Sequence, residues 1–434
     1  VTGALVLDRP EPPARPQPPA PRRPAGVLDP AWPITALTIG MAPAYFLGLS
    51  WLVWILPVFA FGLPLLRRRQ LRIPPGLLPL IALAAWIPVT ALALPTPAEL
   101  PMFVFRWLVW VSAVVSMVWV CNTATTVVST ERIVDMLGIL WITFIGFGYL
   151  ALLFPATAAP SLLQRVMPQG LLDIQAINDL TIVRFAELQT FATGVVPRPA
   201  APLPATNGWG STLGLLTPFF VLAWLTAASH RRRVWGWIFA AIALVPLVVS
   251  TNRGAWLSIG VALAYFAFRR AIVGDARPLF FITALAALVV AAVLFTPLDQ
   301  VVATRLDSSN ESNAAREDVY QLAYTKTLDS PLLGYGAPQQ KDQPPPIGTH
   351  GLLWYTMFCH GFTGVLLLLA ALGALFATTM RARTPTALWA HIAILICIVQ
   401  VPYYGLLPQL MLVGIAAGIA WRENHPVEAA RELR

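Results

Sequence analysis

Four arginines and one histidine could do chemistry in this sequence: Arg184, Arg198, Arg253, Arg316 and His350. Arg253 and His350 adjoin long apolar runs, and Arg184, Arg198 and Arg316 stand in two long segments between such runs. Arg253 stands in VVSTNRGAWLS, residues 248–258, between two such runs. A guanidinium offers a rigid donor fork to phosphate oxygens. Each charge-assisted hydrogen bond of that kind is worth about 1.5–3 kcal/mol. A helix starting at Gly254 would add free N–H groups facing the same anion. The competing reading is an interfacial Arg/Trp anchor, with Trp256 at headgroup level. His350 stands in IGTHGLLW. An imidazole with an ordinary pKa near 6.5 can take a proton at neutral pH. Its competing reading is a histidine hydrogen-bonded to loop backbone. Arg316 and Tyr320 are four apart and share a face if the segment is helical. His360 and His391 fall inside apolar runs and read as interhelical hydrogen-bonding residues, and His425 as a solvated tail residue.

Other chemistries lack their residues. The sequence has no DxD pair for a metal-bound nucleotide, no Walker A, no GxGxxG after a strand and no HExxH. No metal and no other cofactor is expected. Intramembrane carboxylates are nearly absent, which counts against an ion-coupled transporter. Cys121, Cys359 and Cys397 all sit in apolar runs without metal or CxxC spacing and read as packing residues.

These side chains must be positioned by helices in a bilayer. Of 434 residues, 57% are hydrophobic and 11% charged, against about 25% charged in a soluble domain. Apolar runs near 20 residues match a hydrocarbon core of about 30 Å, and only helices or closed barrels can cross it. The short alternating segments of a barrel are missing. An all-α polytopic membrane protein is expected, with about twelve spans. Their cores are 32–48, 50–66, 76–94, 101–121, 133–154, 208–229, 234–250, 255–268, 278–295, 351–377, 385–401 and 405–421. Prolines 33, 43, 57 and 64 should shorten or kink the first two.

The net charge of +9 reads as topology, not as a nucleic-acid surface. Under the twelve-span count, Arg67–Arg69, Arg231–Arg233, Arg269–Arg270, Arg381 and Arg383 fall on one side with both tails. That side is cytoplasmic by the positive-inside tendency. Residues 1–30, rich in Pro and Arg, should be a disordered cytoplasmic tail. Residues 31–421 form the membrane domain, and 422–434 a second cytoplasmic tail. Two long external loops remain, 155–207 and 296–350. The second, between spans 9 and 10, should be partly helical. Asn310, Ser312 and Asn313 are N-cap types before a helix over 314–328, which stops at SPLLGYG. Such a loop suits a substrate lid.

These segments resemble the O-antigen ligase and polymerase family of polyprenyl-diphosphate-dependent glycosyltransferases. STNRGAW is similar to that family's SxRGAW-like segment. AREDVYQLAYTKTLDSPLLGYG resembles its arginine, short helix and PLLGxG turn. THGLLWYTMFCHGFTG resembles its histidine-led opening of the next span, and Arg198 stands nine residues before Asn207 in a similar spacing. The resemblance covers most of 130–420. It departs where Gly351, not Asn, follows His350, and where the segment before Asn207 lacks the usual proline and glycine positions.

The resemblance implies transfer of a glycan from a polyprenyl-diphosphate donor to an acceptor hydroxyl, on the outer face of a bacterial inner membrane. Arg253 and Arg316, with Arg198 and Arg184 as further candidates, would hold the diphosphate. His350 would be the base. The acceptor would be a glycan or glycolipid, and the anomeric centre would invert. Ligase chemistry is the first reading. A polymerase joining lipid-linked units, an exporter of lipid-linked sugars and a membrane scaffold are the alternatives.

Overall fold

The computed structural model describes residues 29–191, 194–284, 287, 316–339, 348 and 350–425. The expected helix caps at Asn310, Ser312 and Asn313, nearly all of the 1–30 tail and most of the ninth span lie outside these residues.

The chain is mostly helical. It opens with five short helices, α1 (Trp32–Thr38), α2 (Met41–Leu47), α3 (Ser50–Val53), α4 (Leu56–Ala60) and α5 (Gly62–Leu66). The two spans expected at 32–48 and 50–66 are therefore not continuous helices. Pro33 and Pro57 fall at N1 or N2 positions, where proline starts a helix and cannot continue the previous one. Longer helices follow: α6 (Leu78–Thr90), α7 (Leu100–Asn122) and α8 (Thr130–Leu153).

The segment expected as a plain loop at 155–207 carries strands, so all-α needs correcting. β1 (Ala158–Pro160) precedes α9 (Gln169–Leu172), α10 (Gln175–Thr181) and β2 (Ile182–Arg184), and β1 pairs antiparallel with β2. β3 (Ala186–Phe191) pairs antiparallel with β4 (Gly194–Pro199), and Glu187 faces Arg198 across the ladder. The β-branched and aromatic run from Thr181 to Phe191 suits a pleated surface.

Beyond it lie α11 (Thr206–Phe220), α12 (His230–Ser250) and α13 (Arg253–Ile272). Helical residues 277–284 form α14, and 316–329 form α15, as the spacing predicts. Last come α16 (Leu352–Thr379), α17 (Pro385–Gln400) and α18 (Leu410–Asn424).

Among the described residues, seven helices are long and apolar enough to cross a membrane. With α17 and α18, apolar but only 16 and 15 residues long, they form a multi-pass bundle. α11 packs against α8, α13 and α17. α18 lies along α7, where Gly414 and Gly418 leave no room for a Cβ beside Ala113 and Val120. Small residues four apart let two helices approach closely in a bilayer.

The basic clusters collect at one end of the bundle. Arg232 pairs with Asp135 at 2.6 Å, and Arg269 donates to the Met380 carbonyl at 2.9 Å. Arg68 donates to the Asn122 carbonyl. Arg422, expected in the second cytoplasmic tail, lies within α18 and is 2% exposed. It donates to the carbonyls of Thr123 and Val128 and to the Thr130 hydroxyl. Those carbonyls follow the end of α7, where no intrahelical donor remains.

α16 contains a break. Gly361 adopts φ 68° and ψ −174°, so carbonyls one turn earlier lose their helical donors. The SPLLGYG turn supplies replacements. The amides of Tyr335 and Gly336 donate to Phe358 and Cys359 at 2.9 and 2.8 Å, and the Phe362 amide donates to Pro331 at 2.8 Å. The loop after α15 is thus stitched into the middle of a spanning helix.

Candidate active site

The site forms at the bundle end opposite the basic clusters, around the turn between α12 and α13. Thr251 reverses the chain at φ 49°. Asn252 then caps α13, its Oδ1 accepting from the Ala255 amide at 3.1 Å. Asn252 is buried, and its Nδ2 donates to the Thr206 carbonyl at 3.0 Å. The turn is therefore fastened to the start of α11. Arg253 projects as the first residue of α13 and is exposed. Trp256 is exposed on the outside of the bundle.

Two of the N–H groups expected to be free at the start of α13 are engaged. The Gly254 amide donates to the Tyr404 hydroxyl at 2.7 Å, and Ala255 gives its amide to Asn252. Asx capping consumed one donor, and a tyrosine from the turn between α17 and α18 consumed the other. Tyr404 in turn donates to Asn252 Oδ1 at 3.3 Å.

Arg198 reaches the same turn from β4. Its Nε donates to the Ser250 carbonyl at 2.8 Å, and its Nη1 donates to Gln189. Glu187, opposite it on β3, also accepts the Thr206 amide at 2.9 Å. Burial holds the Arg198 pKa below its ordinary value. Glu187 and Tyr404 oppose that shift, and the nearby guanidiniums of Arg316 and Arg253 add to it.

Arg316 opens the described part of α15. Tyr320, on the same face, stacks on Trp354 at 4.5 Å and 11°. That stack docks α15 onto α16, and Trp354 ties α16 to the α17–α18 turn by donating to the Pro402 carbonyl at 3.1 Å. The Tyr320 hydroxyl is buried and makes no hydrogen bond among the described residues. Burial raises its pKa, and Arg316 works against that rise.

His350 precedes the same junction. The amides of Leu352 and Leu353 donate to the carbonyls of Tyr404 and Val401 at 2.8 and 3.1 Å. Gly351 is required there, because a Cβ would overlap the Pro402 carbonyl. Burial, and then Arg316, lower the His350 pKa. Both causes favour the neutral imidazole.

Arg198, Arg253 and Arg316 thus lie near Tyr404, and His350 lies near Arg316. Arg184 stands apart. It pairs with Asp179 at 3.4 Å, and its backbone is clasped by the Tyr45 hydroxyl. His360 and His391 are buried between helices, bonded to Thr90 at 2.9 Å and to Thr379 at 2.8 Å. Tyr404, Glu187 and Tyr320 are the residues that the sequence did not single out. Only the four-residue spacing of Arg316 and Tyr320 hinted at one of them.

Residues 238–356 match the family model described as O-antigen ligase. In this segment the chain is similar to the O-antigen ligase family. The matched segment contains the α12–α13 turn, Arg253, Arg316 and His350, and leaves Arg184 and Arg198 before it. No curated protein matches the chain. The similarity points to a membrane glycosyltransferase of ligase or polymerase kind, working with lipid-linked glycan donors and glycan acceptors. Cell-envelope biosynthesis in a bacterial membrane is the setting that fits the family and the apolar helices together.

Proposed function

We propose that the protein is a ligase-type O-antigen ligase family enzyme that transfers a glycan from a polyprenyl-diphosphate donor to an acceptor hydroxyl on the extracytoplasmic face. The observation that carries the reading is the crowding of Arg198, Arg253 and Arg316 with His350 beside Arg316. Glu187 faces Arg198 across the β-ladder, and Arg316 and Arg253 bring two further guanidiniums near Arg198. This excess of positive charge at a bundle end suits a diphosphate, and forked donors suit its oxygens.

In this reading the acceptor O–H gives its proton to neutral His350 as its oxygen bonds to the anomeric carbon. The bond from that carbon to the diphosphate oxygen breaks, and the electron pair leaves with the polyprenyl diphosphate. The arginines stabilise the charge that grows there. Attack opposite the leaving group inverts the centre. The Tyr320 hydroxyl offers a further donor to the leaving group from the lid helix.

The basic clusters mark the cytoplasmic end, so the termini face the cytoplasm and the site opens outward. The test is reconstitution of the purified protein with a lipid-diphosphate glycan and an acceptor. Single transfer to a different acceptor supports a ligase. Ladders of lipid-linked product mean a polymerase, and glycan movement without a new glycosidic bond means an exporter.

A further inference from the structure

Next to the arginine cluster lies a groove of different character. Its cavity is about 350 Å³ and is lined by Trp51, Trp54, Phe105, Tyr45, Asp179 and Arg184, among others. It shares Trp51, Phe105 and Leu180 with a second cavity of about 190 Å³, otherwise lined by apolar groups such as Met102 and Ile177. Cavities of a few hundred Å³, mostly apolar with a few placed polar groups, are ligand sites as a class.

The walls are fixed before any ligand arrives. The Trp51 indole N–H donates to the Gly48 carbonyl at 3.0 Å, and its ring meets Phe105 edge to face at 5.5 Å. Trp54 is buried. The Tyr45 hydroxyl donates to the Arg184 carbonyl at 2.6 Å and accepts the Arg184 amide at 2.8 Å. Arg184 and Asp179 pair but stay partly exposed, at 42% and 45%.

Charge separates this groove from its neighbour. One arginine is matched by one aspartate, so the groove lining is net neutral, while the adjacent cluster brings three guanidiniums together. A diphosphate gains little from the groove. A sugar ring fits better: its C–H face packs on aromatic rings, and its hydroxyls can both accept from Arg184 and donate to Asp179. An isoprenoid chain would leave the ion pair facing hydrocarbon, which is costly.

Position gives the ligand its role. Pro202–Ala205 line the groove and join Arg198's strand to Thr206, and Pro408 lines it from the turn that carries Tyr404. The groove and the arginine cluster share one wall. We infer that this aromatic groove binds the sugar rings of the neutral acceptor glycan, with Trp51 and Phe105 as stacking platforms and the Arg184–Asp179 pair as the hydroxyl clamp. The acceptor role rests on the transfer reading above. The glycan-binding claim does not.

The experiment uses the full chain in lipid nanodiscs with two kinds of photoreactive probe: neutral hexasaccharides of gluco, galacto and manno configuration, and a polyprenyl phosphate. At least one hexasaccharide should label peptides 45–54 or 101–105. Trp51→Ala should cut that labelling about tenfold. Leu180→Trp, which fills the groove without removing a wall, should do the same at unchanged Tm. Labelling that survives both variants, absence of labelling by every hexasaccharide, or labelling of these peptides by the polyprenyl probe instead would overturn the assignment. In the transfer assay, Trp51→Ala should raise the acceptor KM with the donor KM unchanged. An unchanged acceptor KM removes the acceptor role. Loss of the transfer reading itself would show separately, as absence of any glycosidic product with wild-type protein while hexasaccharide labelling persists.

Discussion

The Gly254 amide donates to the Tyr404 hydroxyl at 2.7 Å, and a Cβ at residue 254 would overlap the Tyr404 ring. The glycine after Arg253 is there to admit a tyrosine 150 residues away. Gly254→Ala must push Tyr404 out and tilt the first turn of α13. Donor binding should weaken at least tenfold, measured as Kd for a polyprenyl-diphosphate glycan. Tyr404→Phe keeps the ring and loses only the hydroxyl, so its effect should be smaller. Equal effects would mean the packing argument is wrong.

His350→Gln removes the proton acceptor and keeps a side chain of similar reach. Transfer should fall by about 10²–10⁴, the usual contribution of general base catalysis. Donor Kd should stay within about twofold. Arg253→Gln should do the reverse and raise donor Kd first. Normal transfer by the His350 variant would remove the imidazole from the mechanism.

The pH profile has a definite sign. Burial and Arg316 hold the His350 pKa below its ordinary value, and the base must be neutral to act. Activity should therefore persist below pH 6.5 and fail only as pH drops through the lowered pKa. Arg316→Gln removes a like charge, so the acid limb of kcat/KM should move to higher pH. A limb that stays fixed or moves lower would separate His350 from Arg316.

Asn252 joins three elements through one buried amide, accepting from Ala255 and Tyr404 and donating to Thr206. Asn252→Ala loses a helix cap worth about 1 kcal/mol. It also leaves buried partners unsatisfied, at about 1–3 kcal/mol each. Thermal unfolding in detergent should show a lowered Tm, with Asn252→Ser recovering part of it through the retained cap.

The sequence made some of this readable and hid the rest. Arg253 stood out because charge between two apolar runs is costly and must have a reason, and Arg316 and His350 stood out from their places in the expected external loop. The α12–α13 reversal was legible from Ser-Thr-Asn-Arg-Gly between two spans. Tyr404 and Glu187 were not, since a tyrosine after a span and a glutamate in a loop are ordinary until the fold brings them to Arg198. Arg184 looked equivalent to Arg198 because both lie in the 155–207 segment, yet Asp179 and Tyr45 hold it in another place. The strands were hidden by their length. The prolines warned of trouble in the first two spans without showing that five short helices would result. Nothing in the unbroken hydropathy of α16 signals the interruption at Gly361.

That interruption bears on biogenesis. The carbonyls of Phe358 and Cys359 accept from Tyr335 and Gly336, residues made before α16. A lone α16 released sideways into lipid would expose those carbonyls to hydrocarbon, at several kcal/mol apiece. The segment carrying Tyr335 and Gly336 must fold back onto α16 as it leaves the insertion machinery, so this span does not settle as an independent unit.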